Sequence, residues 1–507
     1  MRNNSVGIKK SVDVLFINPG DNKQIYQNLE NEFSAIEPPA LAGLFATFIH
    51  QKGMKVAIID GPAHGMTANT IADNVVDEFS PMLVAIVVYG FQPSASTQNM
   101  TAAGKIAKAL KERNPNLKIL MTGTHPAALP QRTMLEEAVD FVCDREGPVT
   151  IYKTVQALKA KLENFSDIPS LWWRQDGAVL APRSSEGLIK DLDTEMPSIA
   201  WDLLPMDRYR AHNWHCFEHI HERSPYVSIH TSMGCPYHCS FCCINAPFGK
   251  SSYRMWSPET VVKEIDFLVE NYGVQNIKFV DEMFVLNKHH VLGICDLLMQ
   301  RDYKVNIWAY ARVDTVKDEF LDKLKAAGFN WLALGIESAS EYVRDGALKK
   351  FGNKEITNTI RKIQDAGIYI IANYIFGLPD DTIECMQNTL DLALDLNCEF
   401  ANMYSAMAYP GSLLYKTALE SGADLPNSWH QFSQHAYDSK PLSNQYCTSA
   451  DILEFRDKAW NTYFANPSYL NMIKEKFGQD VIDHINRMVA IPLQRKLVEE
   501  KYSLQKY

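Results

Sequence analysis

Cys235, Cys239 and Cys242 lie in the run His-Thr-Ser-Met-Gly-Cys-Pro-Tyr-His-Cys-Ser-Phe-Cys-Cys, residues 230–243. This C-x3-C-x2-C spacing puts three thiolates within eight residues, enough to hold three irons of a [4Fe–4S] cluster. A cluster that only carries electrons takes four cysteines. A loop offering three leaves one iron open to a substrate or cofactor, which turns an electron carrier into a reaction site. The competing chemistry is zinc, whose structural sites are closed by four N or S ligands. His238 or Cys243 could supply the fourth, yet both lie inside the loop, too close in sequence for easy tetrahedral closure. No second C-x2-C pair exists elsewhere in the chain. The cluster reading is the better match.

The rest of the composition narrows the setting. At 507 residues, 46% hydrophobic and 22% charged, the chain is an ordinary globular mixture with room for two to four cores. A net charge of −10 argues against a general nucleic-acid binder. Ten cysteines are too sparse for a disulfide scaffold. Cys143, Cys216, Cys295, Cys385, Cys398 and Cys447 are scattered and read as small buried hydrophobes. The opening residues lack the apolar stretch of a signal peptide, and no apolar run approaches a membrane span. A reducing cytoplasm is the expected compartment.

The elements before the cysteine loop alternate. Short apolar strands at Val12–Asn18, Lys55–Asp60, Leu83–Tyr89, Lys118–Thr122 and Val139–Cys143 are separated by helical stretches at Pro39–Gln51, Ala68–Phe79, Gln98–Arg113 and Gln131–Ala138. This alternation predicts a doubly wound α/β domain over residues 1–163, in the flavodoxin-like order 2-1-3-4-5, with its ligand at the strands' carboxyl ends. Those ends carry Asn18-Pro19-Gly20, Tyr89-Gly90-Phe91-Gln92-Pro93, Gly123-Thr124-His125-Pro126 and Arg145-Glu146-Gly147. Glycines let backbone approach a ligand closely, and Tyr89, Phe91 and Pro126 offer flat apolar surface. No G-x-G-x-x-G follows the first strand, so a dinucleotide is a poor match. Residues 164–223 read as a connector. It carries a hairpin turning at Asp176-Gly177 and an extended path marked by Pro182, Pro197 and Pro205. Trp172 and Trp173 read as packing.

The elements after it alternate as well. Strands at Tyr226–His230, Asn276–Val280, Asn306–Tyr310, Trp331–Gly335, Tyr369–Phe376 and Phe400–Met407 are interleaved with helices. Six βα units over residues 224–425 predict a partial (β/α)6 TIM-like barrel with its chemistry at the strands' carboxyl ends. The cysteine loop directly follows the first of these strands. Later strand ends carry Asp281-Glu282, Arg312, Glu337-Ser338 and Gly377-Leu378-Pro379. Asp380-Asp381 reads as a helix start. Residues 426–507 turn helical, with stretches at Ala450–Phe464, Pro467–Gly478 and Ile482–Lys501, and are expected to form a cap closing the barrel mouth.

Residues 1–163 resemble the cobalamin-binding domain at the amino end of cobalamin-dependent radical SAM enzymes. The matching pieces are Asn18-Pro19, Glu37-Pro38-Pro39-Ala40-Leu41-Ala42-Gly43-Leu44, Gly123-Thr124-His125-Pro126 and Arg145-Glu146-Gly147. Thr122 replaces the first of the two glycines common before the His-Pro, and the stretch after the fifth strand is altered. The Asp-x-His-x-x-Gly motif that supplies a histidine below cobalt in other cobalamin proteins is absent. His64 has the wrong spacing and reads as a loop histidine. The resemblance implies cobalamin with its own base displaced and no histidine in its place. Asn18, Tyr89, Gly90, Gly123, His125, Glu146 and Gly147 would lie around it, His125 as a hydrogen-bonding or packing group.

Residues 224–425, with the cysteine loop, resemble the radical SAM superfamily. The resemblance implies that Cys235, Cys239 and Cys242 ligate the cluster and that S-adenosyl-L-methionine (SAM) takes the fourth iron through its amino and carboxylate groups. Phe241 matches the aromatic near adenine, with loop packing as its other reading. Many members have Gly-Gly-Glu at the second strand; here Asp281 and Glu282 stand in, and which one meets SAM's ammonium is left open. Arg312 is implied for SAM's carboxylate, Glu337 and Ser338 for the ribose or amino group, and the turn at Gly377 for adenine. Together the two resemblances imply a C-methyltransferase that passes a methyl group from SAM through cobalamin to an unactivated carbon of a small molecule. Cyclisation or rearrangement with the same cofactors, and a non-catalytic cobalamin or cluster sensor, are the alternatives. An external electron donor such as a flavodoxin or ferredoxin is also implied.

Overall fold

An unbroken apolar strand needs cover on both faces, which is the signature of a parallel sheet. Val14-Leu15-Phe16-Ile17 is such a run, and all four side chains are fully buried. The computed structural model describes residues 9–20, 23–29, 33–90, 92, 94–185 and 188–504; Phe91 and Pro93 lie outside them. Two compact units divide the chain: residues 1–22, 38–208 and 243–250, and residues 23–37, 209–242 and 251–507.

The first unit holds a seven-stranded sheet in the order β2-β1-β3-β4-β5-β6-β7. Its parallel strands are β1 (Lys10–Asn18), β2 (Val56–Asp60), β3 (Phe79–Val88), β4 (Ile119–Gly123) and β5 (Phe141–Cys143), in the expected order 2-1-3-4-5. The expected hairpin is present as β6 (Leu171–Gln175) and β7 (Ala178–Leu180), turning where Asp176 and Gly177 have φ of 50° and 82°. Two consecutive positive φ values are what a type I′ turn requires. This hairpin is part of the sheet, not of a separate connector. Strand β5 has only three residues and an open edge. Pairing Cys143 with Leu171 covers that edge, while Trp173 packs near Phe165 at 5.5 Å.

The second unit holds six parallel strands in chain order: β8 (Tyr226–Ile229), β11 (Asn276–Phe279), β12 (Asn306–Arg312), β13 (Phe329–Glu337), β14 (Tyr369–Phe376) and β15 (Phe400–Ser405). A small antiparallel pair, β9 (Ser232–Met233) and β10 (Arg254–Met255), brackets the cysteine loop. At the strands' amino ends the lumen is plugged from residues 209–223. The Trp214 ring lies 5.0 Å from Trp308 and 5.6 Å from Trp331, and His215 Nε2 is 3.0 Å from the Asn306 carbonyl. Asparagines link neighbouring strands at this level: Asn306 donates to Asn276 and accepts from Asn330.

The helical region reaches the mouth at one end, where Ile452 lies against Gly377, and extends from there along the barrel. Its helices are Ser449–Phe464, Pro467–Phe477, Gln479–Val489 and Lys496–Leu504. The first runs along β15, where Arg456 donates to the Met403 carbonyl. Phe477 stacks on Trp331 toward the strands' amino ends. A half-barrel exposes the edge of its last strand, and that edge is what most needs cover. The expected single stretch Ile482–Lys501 is broken around Pro492, which cannot continue a helix. Among the described residues no helix is long and apolar enough to cross a membrane.

Because Trp214 fills the lumen floor, Trp214→Ala should cost about 3–5 kcal/mol of stability, read by denaturant unfolding. A loss below about 1 kcal/mol would show that the plug is dispensable.

Candidate active site at the barrel mouth

The cysteine loop is held from two sides by residues that are not thiols. At the end of β11, buried Asp281 accepts from the Thr231 main chain at 2.6 Å, the Thr231 hydroxyl at 2.5 Å and the Ser232 hydroxyl at 2.6 Å. His290 Nε2 lies 2.9 Å from the same Thr231 hydroxyl. Gly234 then turns the chain at φ 85°, and a Cβ there would meet the Ser252 carbonyl at 2.5 Å. Further along, the Ser240 main chain donates to the Ala347 carbonyl and accepts from Leu414. Cys235 is buried; Cys239 and Cys242 are partly exposed; none of the three is in a disulfide. Burial pushes the Cys235 thiol up to about 12.

Asp281 and Glu282, adjacent in sequence, do different things. Asp281 is spent on the loop. Among the described contacts Glu282 has no hydrogen bond, and burial raises its carboxyl to about 7, opposed by Lys278 and reinforced by Asp281. Arg312, ending β12, sets Nε and Nη2 on the two Asp314 oxygens at 2.9 and 3.0 Å, and its Nη1 lies 3.5 Å from Cys239 Sγ. Glu337, ending β13, sits at φ 68° and is ion-paired to buried Lys349. A non-glycine residue there stores backbone strain. Ser338 is fully buried, with its hydroxyl 3.2 Å from that of Thr389. It accepts from the Ser340 main chain and so braces the turn after β13. Phe241 packs, partly buried, on Val343, Ala347, Ile375, Leu378 and Ala406, which is its packing reading.

The first unit gathers its expected residues at the strand ends. Asn18 donates to Asp60 at 2.9 Å. The Tyr89 hydroxyl donates to the Glu146 carbonyl at 2.8 Å, and the Glu146 carboxylate accepts from the Ile189 main chain. Gly90, Gly123 and Gly147 have φ of 74°, 149° and 125°. His125 is buried with Nδ1 3.2 Å from the Thr97 hydroxyl, and burial holds its imidazole neutral, down at about 3. His64 is an exposed residue whose Nδ1 lies 3.0 Å from the Asp60 carbonyl.

Comparison with known proteins bears directly on this arrangement. The sequence model of the radical SAM superfamily matches residues 229–393, and that of the B12 binding domain matches residues 32–153. A protein named uncharacterized methyltransferase PH0819, from Pyrococcus horikoshii, is 30% identical over 443 residues, spanning 87% of this chain and 90% of that one. The chain belongs to the cobalamin-dependent radical SAM enzyme family. The anaerobic magnesium-protoporphyrin IX monomethyl ester cyclase of Rubrivivax gelatinosus is 27% identical over 411 residues, 80% of this chain and 69% of that one. The fold is shared with the radical SAM methyltransferase TsrM from Kitasatospora setae, at TM-score 0.65 and 16% identity over 91% of this chain and 90% of that one.

The family's cofactors are a [4Fe–4S] cluster, SAM and cobalamin, and the residues present fit them. Three cysteines outside any disulfide, on one loop at a barrel mouth, are the donor set for a cluster with one open iron. Among the described residues no group of three or more His, Cys, Asp and Glu side chains is placed to hold a single metal ion. At the other site, a Cβ at Gly123 would collide with the Val88 main chain and one at Gly147 with the Phe45 ring, so glycine there lets the strand ends pack closely. Side chains there could not adopt those backbone angles without strain.

Sequence reading missed several residues. Glu37, which it placed with the cobalamin-like motif, belongs to the barrel unit and binds Lys278 of β11 at 3.0 Å, with both side chains almost fully buried. Trp308 and His212 flank this pair. The partners are 241 residues apart, and no local pattern announces them. Asp381 does more than precede the helix that Thr382 caps. It is fully buried and accepts from the Gly377 main chain at 2.9 Å, bracing the turn that follows β14. Asn444 donates to the Leu378 and Asp381 carbonyls of the same turn.

Burial raises the Asp381 carboxyl to about 7. A carboxyl raised on folding contributes most below its unfolded pKa, and that contribution is lost as pH rises through the folded value. Stability should therefore fall between about pH 4 and 7, by up to about 1.4 kcal/mol per pH unit from this group. Asp381→Asn keeps an acceptor for Gly377 and should flatten that slope in unfolding curves across this range. An unchanged slope would assign the dependence elsewhere.

Proposed function

We propose that this enzyme transfers a methyl group from SAM, by way of cobalamin, to an unactivated carbon of a small molecule. The observation that carries the reading is the 30% identity, along nearly the whole of both chains, to a protein named as a methyltransferase. When bound, the reduced cluster opens SAM to activate a C–H bond, and cobalamin carries the methyl group.

The chain's own residues then take these roles. Cys235, Cys239 and Cys242 hold the cluster. Asp281 holds the loop that carries them. Glu282, uncommitted beside it, accepts from SAM's ammonium. Glu337 stands at the end of β13, oriented by Lys349, and the turn at Gly377, braced by Asp381 and Asn444, lies against adenine. In the first unit Gly90, Gly123 and Gly147 admit the corrin, with Tyr89, His125, Glu146 and Asn18 around it. His125, neutral and beside the Thr97 hydroxyl, would serve there as a hydrogen-bonding or packing group. An electron donor such as a flavodoxin or ferredoxin supplies the reducing electron. The reducing cytoplasm is the fitting compartment for an enzyme whose cysteines form no disulfide among the described residues.

Cys239→Ala should abolish both the cluster absorbance and SAM cleavage; retained cleavage would break this assignment. With methyl-labelled SAM and the substrate in hand, label should pass into product. 5′-Deoxyadenosine formed without methylated product would favour cyclisation or rearrangement, and neither product would favour a sensor. Glu282→Gln should keep its iron and bind SAM about 10–100-fold more weakly, the range for a hydrogen bond to a charged group, as read by calorimetry on cluster-loaded protein. Unchanged affinity would move the ammonium contact elsewhere.

A further inference from the structure

Arg312 carries more contacts than a strand-end ligand for a carboxylate needs. Its two-nitrogen edge is taken by Asp314, in the parallel fork geometry that guanidinium and carboxylate share. Its flat face lies 3.9 Å from the centre of the Tyr237 ring, inside the cysteine loop. Phe351 stands farther off, at 5.9 Å. The remaining nitrogen, Nη1, is aimed at Cys239 Sγ from 3.5 Å. Arg312 is buried, while Asp314 is partly exposed. Carboxylate, aromatic face and sulfur thus fix the guanidinium in all three directions.

We propose that Arg312 is a positioning residue that sets the reduction potential of the cluster through its N–H···S bond to Cys239. This rests on Cys239 being a cluster ligand. Reduction adds one negative charge to a cluster whose thiolates already carry negative charge. A buried cation donating a hydrogen bond to one of those sulfurs favours the reduced state, and hydrogen bonds to sulfur are among the levers that tune such clusters. The planar fork matters because one guanidinium can hold Asp314 with two nitrogens and still present a third to sulfur, which an ammonium cannot do in that geometry. Asp314 orients the group, and Tyr237 ties that orientation to the loop that carries the cysteines.

The test is an EPR-monitored redox titration of reconstituted protein without SAM, so that no contact to SAM enters. Iron content and absorbance establish that each variant carries its cluster. Arg312→Gln should reduce less readily, with the ratio of reduced to oxidised cluster at a fixed potential lower by about tenfold, equivalent to a midpoint about 59 mV more negative for one electron. Arg312→Lys, which keeps the charge and loses the fork, should shift in the same direction by a smaller amount. A fully loaded Gln variant with an unchanged midpoint overturns the proposal. If the Gln variant does not retain iron, the Lys variant decides: a smaller negative shift supports the proposal, and an unchanged midpoint overturns it. Failure of the ligand assignment is distinguishable, because Cys239→Ala would then keep its full iron complement.

Discussion

Three hydrogen bonds onto one buried carboxylate govern the geometry of the barrel mouth. Asp281 gathers the Thr231 amide, the Thr231 hydroxyl and the Ser232 hydroxyl, and thereby fastens the start of the cysteine loop to the neighbouring strand. A carboxylate with three short donors is far better solvated by protein than one left bare at the same depth. The far side of the loop is fastened by main-chain bonds from Ser240 to Ala347 and Leu414. The thiols are therefore presented by a loop whose ends are set by groups that do not ligate. Glu282 stays unspent because its neighbour does the anchoring.

Beneath the mouth, the lumen is organised by burial of charge. Lys278 and Glu37 form an ion pair almost without solvent, with Trp308 beside the ammonium and His212 beside the carboxylate. Such a pair gives little net stability, yet removing either partner strands a buried charge, so it strongly specifies which segments meet. Trp214 closes the floor below it, against Trp308 and Trp331. The same scarcity of water raises the Glu282 carboxyl to about 7, which leaves it close to balance between the neutral form and the carboxylate an ammonium would favour.

Much of this was legible in the chain. Strand and helix periodicity located all six barrel strands and the first five strands of the other sheet to within a few residues, because those elements are stabilised by local apolar patterning. The C-x3-C-x2-C loop and the strand-end carboxylates were legible because their chemistry is written in residue types at short spacing. What local pattern could not show was allegiance. The hairpin after residue 170 joined the first sheet because β5 left an edge to cover, and the terminal helices cover the last barrel strand and the strands' amino ends for a related reason. Ser338 lies beside Thr389, Phe241 packs partly buried on the Val343 cluster, and Asp381, read with its neighbour as a helix start, also holds the turn before that helix.

The sequence by itself determined the elements, the three thiols and the family to which they belong, since periodicity and short-range spacing survive without a fold. Tertiary structure decided the division of labour among residues that look alike on paper. Asp281 anchors, and Glu282 has no hydrogen bond among the described contacts; Arg312 meets Asp314, Tyr237 and the Cys239 sulfur together; Glu37 leaves its motif for a lysine 241 positions away. The reason is that a side chain's role is set by who else reaches the same buried point. That is a matter of long-range contact and lost solvent, which no window of sequence contains.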